Sequence, residues 1–392
     1  MSRPFCLRSM DYLYLDHSAT TPLAPEVLHR MLAAQADFWA NPASLHEPGQ
    51  RSRRALDEIR RSIGKLLGAE MDRRGADRVV LTSGGTEANN LAIRGLAGSP
   101  PGRIILSSIE HPSISALATS LARAGFDVVG LPVNAHGVCD VEQFESLLAD
   151  DTQLVSVMLV NNETGVIQPV AALAARCRAR GILMHTDAVQ AVGKLPVDFA
   201  ALGTASLTVS AHKLHGPVGV GALLVRGDVA LKPQLFGGTQ QGSLRPGTES
   251  VPLATGLLAA LQHCLVNITE RIDQLRLVRD QFEAQLNECG KVVINGQSSP
   301  RAPHITNVAF AGLDRQMLQL RLDRLGVACS TGSACASGSS EPSPVLLAMG
   351  CSREIVESSL RFSFGATTTA AEAAEAARRI ASAVAHLTEE KG

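Results

Sequence analysis

The sequence has almost no net charge: 36 Lys and Arg stand against 37 Asp and Glu, leaving −1. So balanced a chain has no bulk field to draw it onto nucleic acid or an anionic membrane, and small-molecule chemistry becomes the default. It lacks any run of about 18 apolar residues, the length a membrane-spanning helix needs. The first residues, Met1-Ser2-Arg3-Pro4-Phe5-Cys6-Leu7-Arg8, break up any apolar signal core with charge and proline. A soluble cytoplasmic protein is the expectation. Its eight cysteines (6, 139, 177, 264, 289, 329, 335, 351) include no CxxC pair and no dense framework. Reduced thiols follow, and any special cysteine is special for its reactivity. Cys329 and Cys335 have no companion at zinc spacing, so no metal site is expected. Neither GxGxxG nor GxxxxGK occurs, which disfavours a dinucleotide or a nucleoside triphosphate. Internal repeats and low-complexity tracts are absent as well.

What is present is length for two domains and a rhythm of short apolar runs separated by helical patterns. Strands are expected at Val79–Leu81, Arg103–Leu106, Val128–Val133, Leu154–Leu159, Ile182–Met184, Leu207–Val209 and Gly221–Val225. Helices are expected at 86–96, 114–123 and 141–148. This alternation predicts a doubly wound α/β domain with a mostly parallel sheet. A long helical region from Pro252 to about Leu286 then leads to an α+β remainder. Its strands are expected at Ile305–Phe310, Val327–Cys329 and Leu360–Phe364, with a last helix from about Ala370 opened by a Thr369/Glu372 capping box. The expected division is a large domain over 16–260 and a small one formed by 1–15 and 261–392.

Polar clusters recur where these strands should end. Lys213 sits in Ser210-Ala211-His212-Lys213-Leu214-His215, after one apolar run; Asp187 sits in His185-Thr186-Asp187, after another. In open parallel sheets such positions form the ligand crevice. A lysine and a carboxylate facing one ligand suit pyridoxal phosphate, the amine forming a Schiff base and the acid keeping the pyridine nitrogen protonated. A loop-capping lysine and a helix-capping aspartate are the plain alternatives. Thr82-Ser83-Gly84-Gly85 leads into a helix at Thr86, so it is either an anion cradle or a tight turn. His111 reads as a ligand or a loop histidine. Arg361, inside a strand, holds either a substrate carboxylate or an internal salt bridge. Cys335, among small residues in Ser333-Ala334-Cys335-Ala336-Ser337-Gly338, is either a travelling thiol or a buried one.

Ten stretches together carry a resemblance: LDHSATTP, NPASLH, TSGGTEANN, EHPSI, NNETG, HTDAVQAVGK, SAHKLHGP, RPGTE, STGSACAS and LRFSFG. In this order, over residues 15–365, the chain resembles the cysteine desulfurases, class V members of the type I pyridoxal-phosphate enzymes. The resemblance implies that fold, with a mostly parallel seven-stranded sheet in the large domain and a cysteine-bearing loop in the small one. It also implies pyridoxal 5′-phosphate as cofactor and L-cysteine as substrate, with L-alanine and an enzyme-bound persulfide as products.

Roles follow residue by residue. Lys213 would carry the cofactor, Asp187 bind the pyridine nitrogen and Gln190 the phenolic oxygen. His111 would stack on the ring and move protons. Gly85, Thr86, Ser210 and His212 would hold the phosphate, with Thr248 reaching it from the second subunit of a homodimer. Asn162, Asn41 and Arg361 would position the substrate carboxylate and the cofactor edge, and Cys335 would accept the sulfur. The implied partner is a sulfur-acceptor protein, such as an iron–sulfur scaffold. Val218 and the stretch Gln240-Gln241-Gly242-Ser243-Leu244 depart from the family's usual residues. The alternative within the class is a selenocysteine or cysteine C–S lyase, which can dispense with Cys335; a non-catalytic sulfur carrier is the alternative outside it.

Overall fold

The computed structural model describes residues 12–288, 292–332 and 341–389. In chain order the strands are β1 (Leu13–Tyr14), β2 (Arg78–Thr82), β3 (Arg103–Ser107), β4 (Asp127–Leu131), β5 (Thr152–Ser156), β6 (Leu183–Asp187), β7 (Ser206–Ser210), β8 (Gly221–Val225), β9 (Val292–Ile294), β10 (Ile305–Phe310), β11 (Val327–Ala328) and β12 (Ser359–Ser363). Seven of them form one sheet in the order β2-β8-β7-β6-β5-β3-β4. Its ladders are parallel except where β8 runs against β2 and β7. The mostly parallel seven-stranded α/β sheet is as the sequence implied.

Burial explains the element choice. Every residue of β7 and β8 is buried, as in strands covered on both faces. Leu207, Val209, Leu223 and Leu224 are fully enclosed, and each such side chain contributes roughly 1.5–3 kcal/mol on leaving water. One face of the sheet packs on Ile63, Phe144, Leu173 and Leu257; the other packs on Leu91, Ile93 and Ile114. A second unit joins the sheet β12-β10-β9 to the helix Ala370–Glu389 through Phe282, Phe310, Phe362 and Ile380. The N-terminal β1 belongs to it by pairing with β11. At the start of the last helix, Thr369 N–H and Oγ1 donate to Glu372 and Glu372 N–H donates back, completing the capping box.

Three expectations change. The long helix from Pro252 breaks into Val251–Leu265 and Ile268–Asn287, because Val266 turns extended (ψ 128°) and Asn267 after it is left-handed (φ 53°). The helix at 114–123 is two short pieces, Pro112–Ser115 and Leu117–Arg123. The strand read as Ile182–Met184 runs on to Asp187, since His185, Thr186 and Asp187 pair with Ser206, Leu207 and Thr208 of β7. Their polar groups are satisfied inside the sheet: Thr186 donates to the Val157 carbonyl at 2.9 Å and His185 Nδ1 meets Ser206 Oγ at 2.8 Å. The strand β9 and the helix Val170–Ala179 went unread in the sequence.

Candidate active site

The carboxyl ends of β2, β3, β5, β6 and β7 open on a cavity of ≈ 320 Å³. Gly85, Thr86, His111, Asn162, Asp187, Gln190, Ser210, His212, Lys213 and Arg361 all line it. A parallel sheet delivers this convergence, because strand ends on one side place loops from distant parts of the chain together.

Lys213 ends a short 3-10 turn, Ala211–Lys213, directly after β7. Its Nζ donates to the Ser18 carbonyl and, at 2.6 Å, to the Ala19 carbonyl, which aims the amine along the cavity wall. Asp187 is the last residue of β6 and is buried. Its Oδ1 accepts from Val189 N–H at 2.9 Å and its Oδ2 from Asn89 Nδ2 at 2.7 Å. Gln190 is held between two groups, donating to the Ser18 carbonyl at 3.0 Å and lying 3.3 Å from His304 Nε2.

Asn89 is a site residue that the sequence reading missed. It lies one turn into the helix Gly85–Leu96, and the same Nδ2 also reaches Ser113 Oγ at 2.8 Å. Its Oδ1 lies 3.1 Å from His185 Nε2. Burial drives the His185 pKa down to about 3, so its ring is neutral and donates one N–H, here to Asn89. The signal was a polar residue one turn after Gly85, which puts it on the face toward the sheet.

His111 Nδ1 accepts from Ser113 N–H at 3.1 Å, with Ser113 Oγ at 2.8 Å. That bond places the neutral ring's proton on Nε2. Beside it, burial raises Glu110 to about 7, against hydrogen bonds from Ser107 Oγ and Met158 N–H, both 2.7 Å from Oε1. Burial, with the Lys213 charge, lowers His212 to about 4, so at neutral pH it offers one hydrogen bond and no charge.

Arg361 is fully buried. Its Nη2 pairs with Asp16 at 2.7 Å, while Nη1 donates to the carbonyls of Asn162 (3.0 Å) and Gly332 (3.1 Å). Its Nε is a buried donor with no protein partner among the described residues. Of the two sequence alternatives for Arg361 the structure shows the internal salt bridge, with Asp16, and it places the side chain on the cavity wall.

Asn41 and Thr248 are not in this cavity. Both are exposed and line a separate groove of ≈ 210 Å³ with Arg60 and Gln240. There Asn41 Oδ1 accepts from Ala43 N–H at 2.9 Å. Cys335 lies outside the described residues.

The cavity fits pyridoxal phosphate. The Ser210 hydroxyl is buried at the end of β7 without a partner among the described residues. It faces the first turn of the helix Gly85–Leu96, where a β-carbon on Gly85 would come 3.7 Å from Ser210 Cβ. No side chain caps that helix, so its first N–H groups and the orphan hydroxyl converge on one anion-sized position. An acid sits at Asp187 and a primary amine at Lys213, as the pyridine nitrogen and the aldehyde require.

Residues 13–375 match the family model described as Aminotransferase class-V. The chain belongs to this family. Family members depend on pyridoxal phosphate. A cysteine desulfurase IscS from Dictyoglomus turgidum is 39% identical over 361 residues, 91% of this chain and 90% of the relative. Among solved structures, a NifS-like protein superposes with a TM-score of 0.88 at 30% identity, covering 96% of this chain and all of its own. A structure titled SspA in complex with cysteine superposes with a TM-score of 0.77 at 32% identity, over 90% of this chain and 98% of its own.

Proposed function

We propose that the protein removes sulfur from L-cysteine, leaves L-alanine, and carries the sulfur as a persulfide on Cys335 for an acceptor protein. The observation that carries this reading is the cavity in which Lys213, Asp187, the Ser210 cradle and Arg361 converge. Class-V membership and the cysteine desulfurase named among its relatives support it.

Lys213 is the anchor of the cofactor, and Asp187 its pyridine partner, oriented by Asn89 and Val189. When bound, the cofactor supplies an electron sink. The Lys213 amine takes the substrate's α-proton, and His111, protonated on Nε2, moves protons at the opposite wall. Arg361 offers its Nε N–H to the substrate carboxylate beside Asn162. The Cys335 thiolate attacks the substrate sulfur. An S–S bond forms, the C–S bond breaks, and its electron pair passes to the β-carbon, which takes up a proton. Cysteine and enzyme thiol become alanine and enzyme persulfide, with no outside oxidant or reductant. The thiolate is needed because the thiol is a weak nucleophile.

The reading includes a homodimer in which Thr248 completes the partner's phosphate site. Thr248 and Asn41 are exposed on one groove, and Trp39 (71%), Leu45 (91%) and Phe236 (87%) expose large apolar surface. Such apolar surface favours an interface.

The test is incubation of the cofactor-loaded protein with free cysteine, quantifying alanine and Cys335 persulfide together. Equal amounts are expected in the first turnover. Sulfur release by Cys335→Ala at the parent rate would overturn the mechanism.

A further inference from the structure

His304 is 1% exposed, stands directly before β10, and takes no part in any step above. Its carbonyl accepts from Phe364 N–H at 2.9 Å, which ties it to the end of β12 in the second unit. Its side chain reaches the other unit: Nε2 lies 3.3 Å from Oε1 of Gln190, 114 positions away. Gln190 is buried as well, in the turn after β6, and it lines the cofactor cavity.

The direction of this bond follows from its neighbours. Gln190 Nε2 donates to the Ser18 carbonyl at 3.0 Å. A carbonyl can only accept, so the amide nitrogen must face Ser18 and the amide oxygen must face His304. His304 therefore donates. Burial, with the charges of Lys194 and His17 nearby, holds its pKa well below the ordinary value, so the ring is neutral and carries one N–H. A proton on Nδ1 instead would set two acceptors, Nε2 and Oε1, against each other, and Nδ1 has no hydrogen-bond partner among the described residues. The Gln190 amide is thus held at both ends, with its second N–H bound to no protein group among the described residues. The Ser18 carbonyl accepts from Lys213 Nζ too, and Ser18 is pinned in turn, its N–H donating to Ser363 Oγ at 2.8 Å. That second N–H therefore stands beside the amine that meets the cofactor's aldehyde. On pyridoxal phosphate the phenolic oxygen sits on the ring carbon next to the aldehyde, and it is an acceptor.

We propose that His304 is a positioning residue: from the second unit it locks the Gln190 amide with its remaining N–H toward the phenolic oxygen of the cofactor, and so sets the pH at which the cofactor's absorbance titrates. The proposal rests on pyridoxal phosphate filling the cavity with Gln190 at that oxygen, and not on which substrate follows. A donor there stabilises the more negative form of the chromophore and lowers its midpoint. Without His304, Gln190 Oε1 becomes a buried acceptor with no partner, and the amide turns to satisfy it.

The experiment titrates the absorbance of the loaded protein against pH, without substrate. Wild type is compared with His304→Leu, His304→Asn, His304→Gln, Gln190→Ala and the double variant Gln190→Ala/His304→Leu. Bound pyridoxal phosphate and far-ultraviolet dichroism show that each is loaded and folded. His304→Leu has no donor and His304→Asn is too short to reach Gln190, so either one, should the other not fold, tests the lock. Each should raise the midpoint by about 0.5 to 1 pH unit, the scale of one hydrogen bond. His304→Gln, whose amide nitrogen extends about as far as Nε2, should titrate close to wild type. Gln190→Ala should raise the midpoint at least as much, and adding His304→Leu to it should shift nothing further, because the effect runs through Gln190. A wild-type midpoint in His304→Leu and His304→Asn would overturn the proposal. So would His304→Gln titrating like His304→Leu, or a full additional shift in the double variant. An unchanged midpoint in Gln190→Ala would remove Gln190 from the phenolic oxygen and the proposal with it. A protein that titrates as expected yet forms no persulfide from cysteine would defeat the desulfurase reading and leave the lock standing.

Discussion

Asn89 and Asp187 are joined by a 2.7 Å hydrogen bond from Nδ2 to Oδ2, and that same amide nitrogen reaches Ser113 Oγ, which abuts His111 Nδ1. One side chain therefore sets the acid on one wall and the imidazole on the other. Removing a partner of buried polar groups costs roughly 1–3 kcal/mol. Asn89→Ala should lose stability on that scale in denaturant unfolding and bind pyridoxal phosphate more weakly in an absorbance titration. Asn89→Asp should bind weaker still, because it sets a second carboxylate against Asp187. Cofactor affinity unchanged in both variants would remove Asn89 from the site.

Borohydride reduction of the loaded protein, followed by peptide mass analysis, should find the cofactor on Lys213. The competing amine is near at hand. Lys194 is half-buried, desolvation lowers its pKa to about 8, and its Nζ donates to the Lys213 carbonyl at 2.6 Å. Label on Lys194, or label persisting in Lys213→Ala, would displace the assignment.

Glu110 makes a pH prediction whose sign is fixed by its raised pKa. Folded, it titrates near 7; unfolded, near the usual 4.5. Between those values the folded state binds more protons than the unfolded state, so stability falls as pH rises through the window and is flat above it. Glu110→Gln keeps an oxygen for Ser107 and Met158 and removes the ionisation. Its stability relative to wild type should grow from pH 4.5 to pH 7 by up to about 3 kcal/mol, the equivalent of the shift. Denaturant curves at pH 5 and pH 8 decide it: an equal offset at both would show that the carboxyl does not titrate there.

The homodimer is checked by complementation. Neither Lys213→Ala nor Thr248→Ala homodimers should carry an intact site, but a mixed dimer has one site with both residues native. Unfolding and refolding the two variants together should restore persulfide formation. Failure, in a mixture shown to contain the mixed dimer, would confine Thr248 to its own subunit.

Lys213 and Asp187 were legible in the sequence because each follows a short apolar run, and strand ends in a parallel sheet have a known destination; Ser210 came only with the family resemblance. The Thr369 capping box was legible because its chemistry is local. Asn89 was not, since its one signal, a place one turn after Gly85, gains meaning only once the sheet it faces is known. His185 reads as lying beyond the strand for the same reason: only its ladder with β7 keeps it inside. The helix break at Asn267 needs a left-handed asparagine, which helical periodicity cannot register. Asn41 and Thr248, read as site residues from the resemblance, lie on a different groove, since neither stands at the end of a strand that opens on the cavity.

The ion pair between Asp16 and Arg361 links residues 345 positions apart. Its consequence is an order of assembly. Closing so long a loop is slow compared with forming contacts between near neighbours. The seven-stranded sheet, complete by Val225, can gather Lys213, Asp187 and the anion cradle while the ribosome is still adding the last third of the chain. Arg361 arrives only with β12. The Asp16–Arg361 side of the cavity is thus the last to be built, after the strand ends that carry Lys213 and Asp187 are already in place.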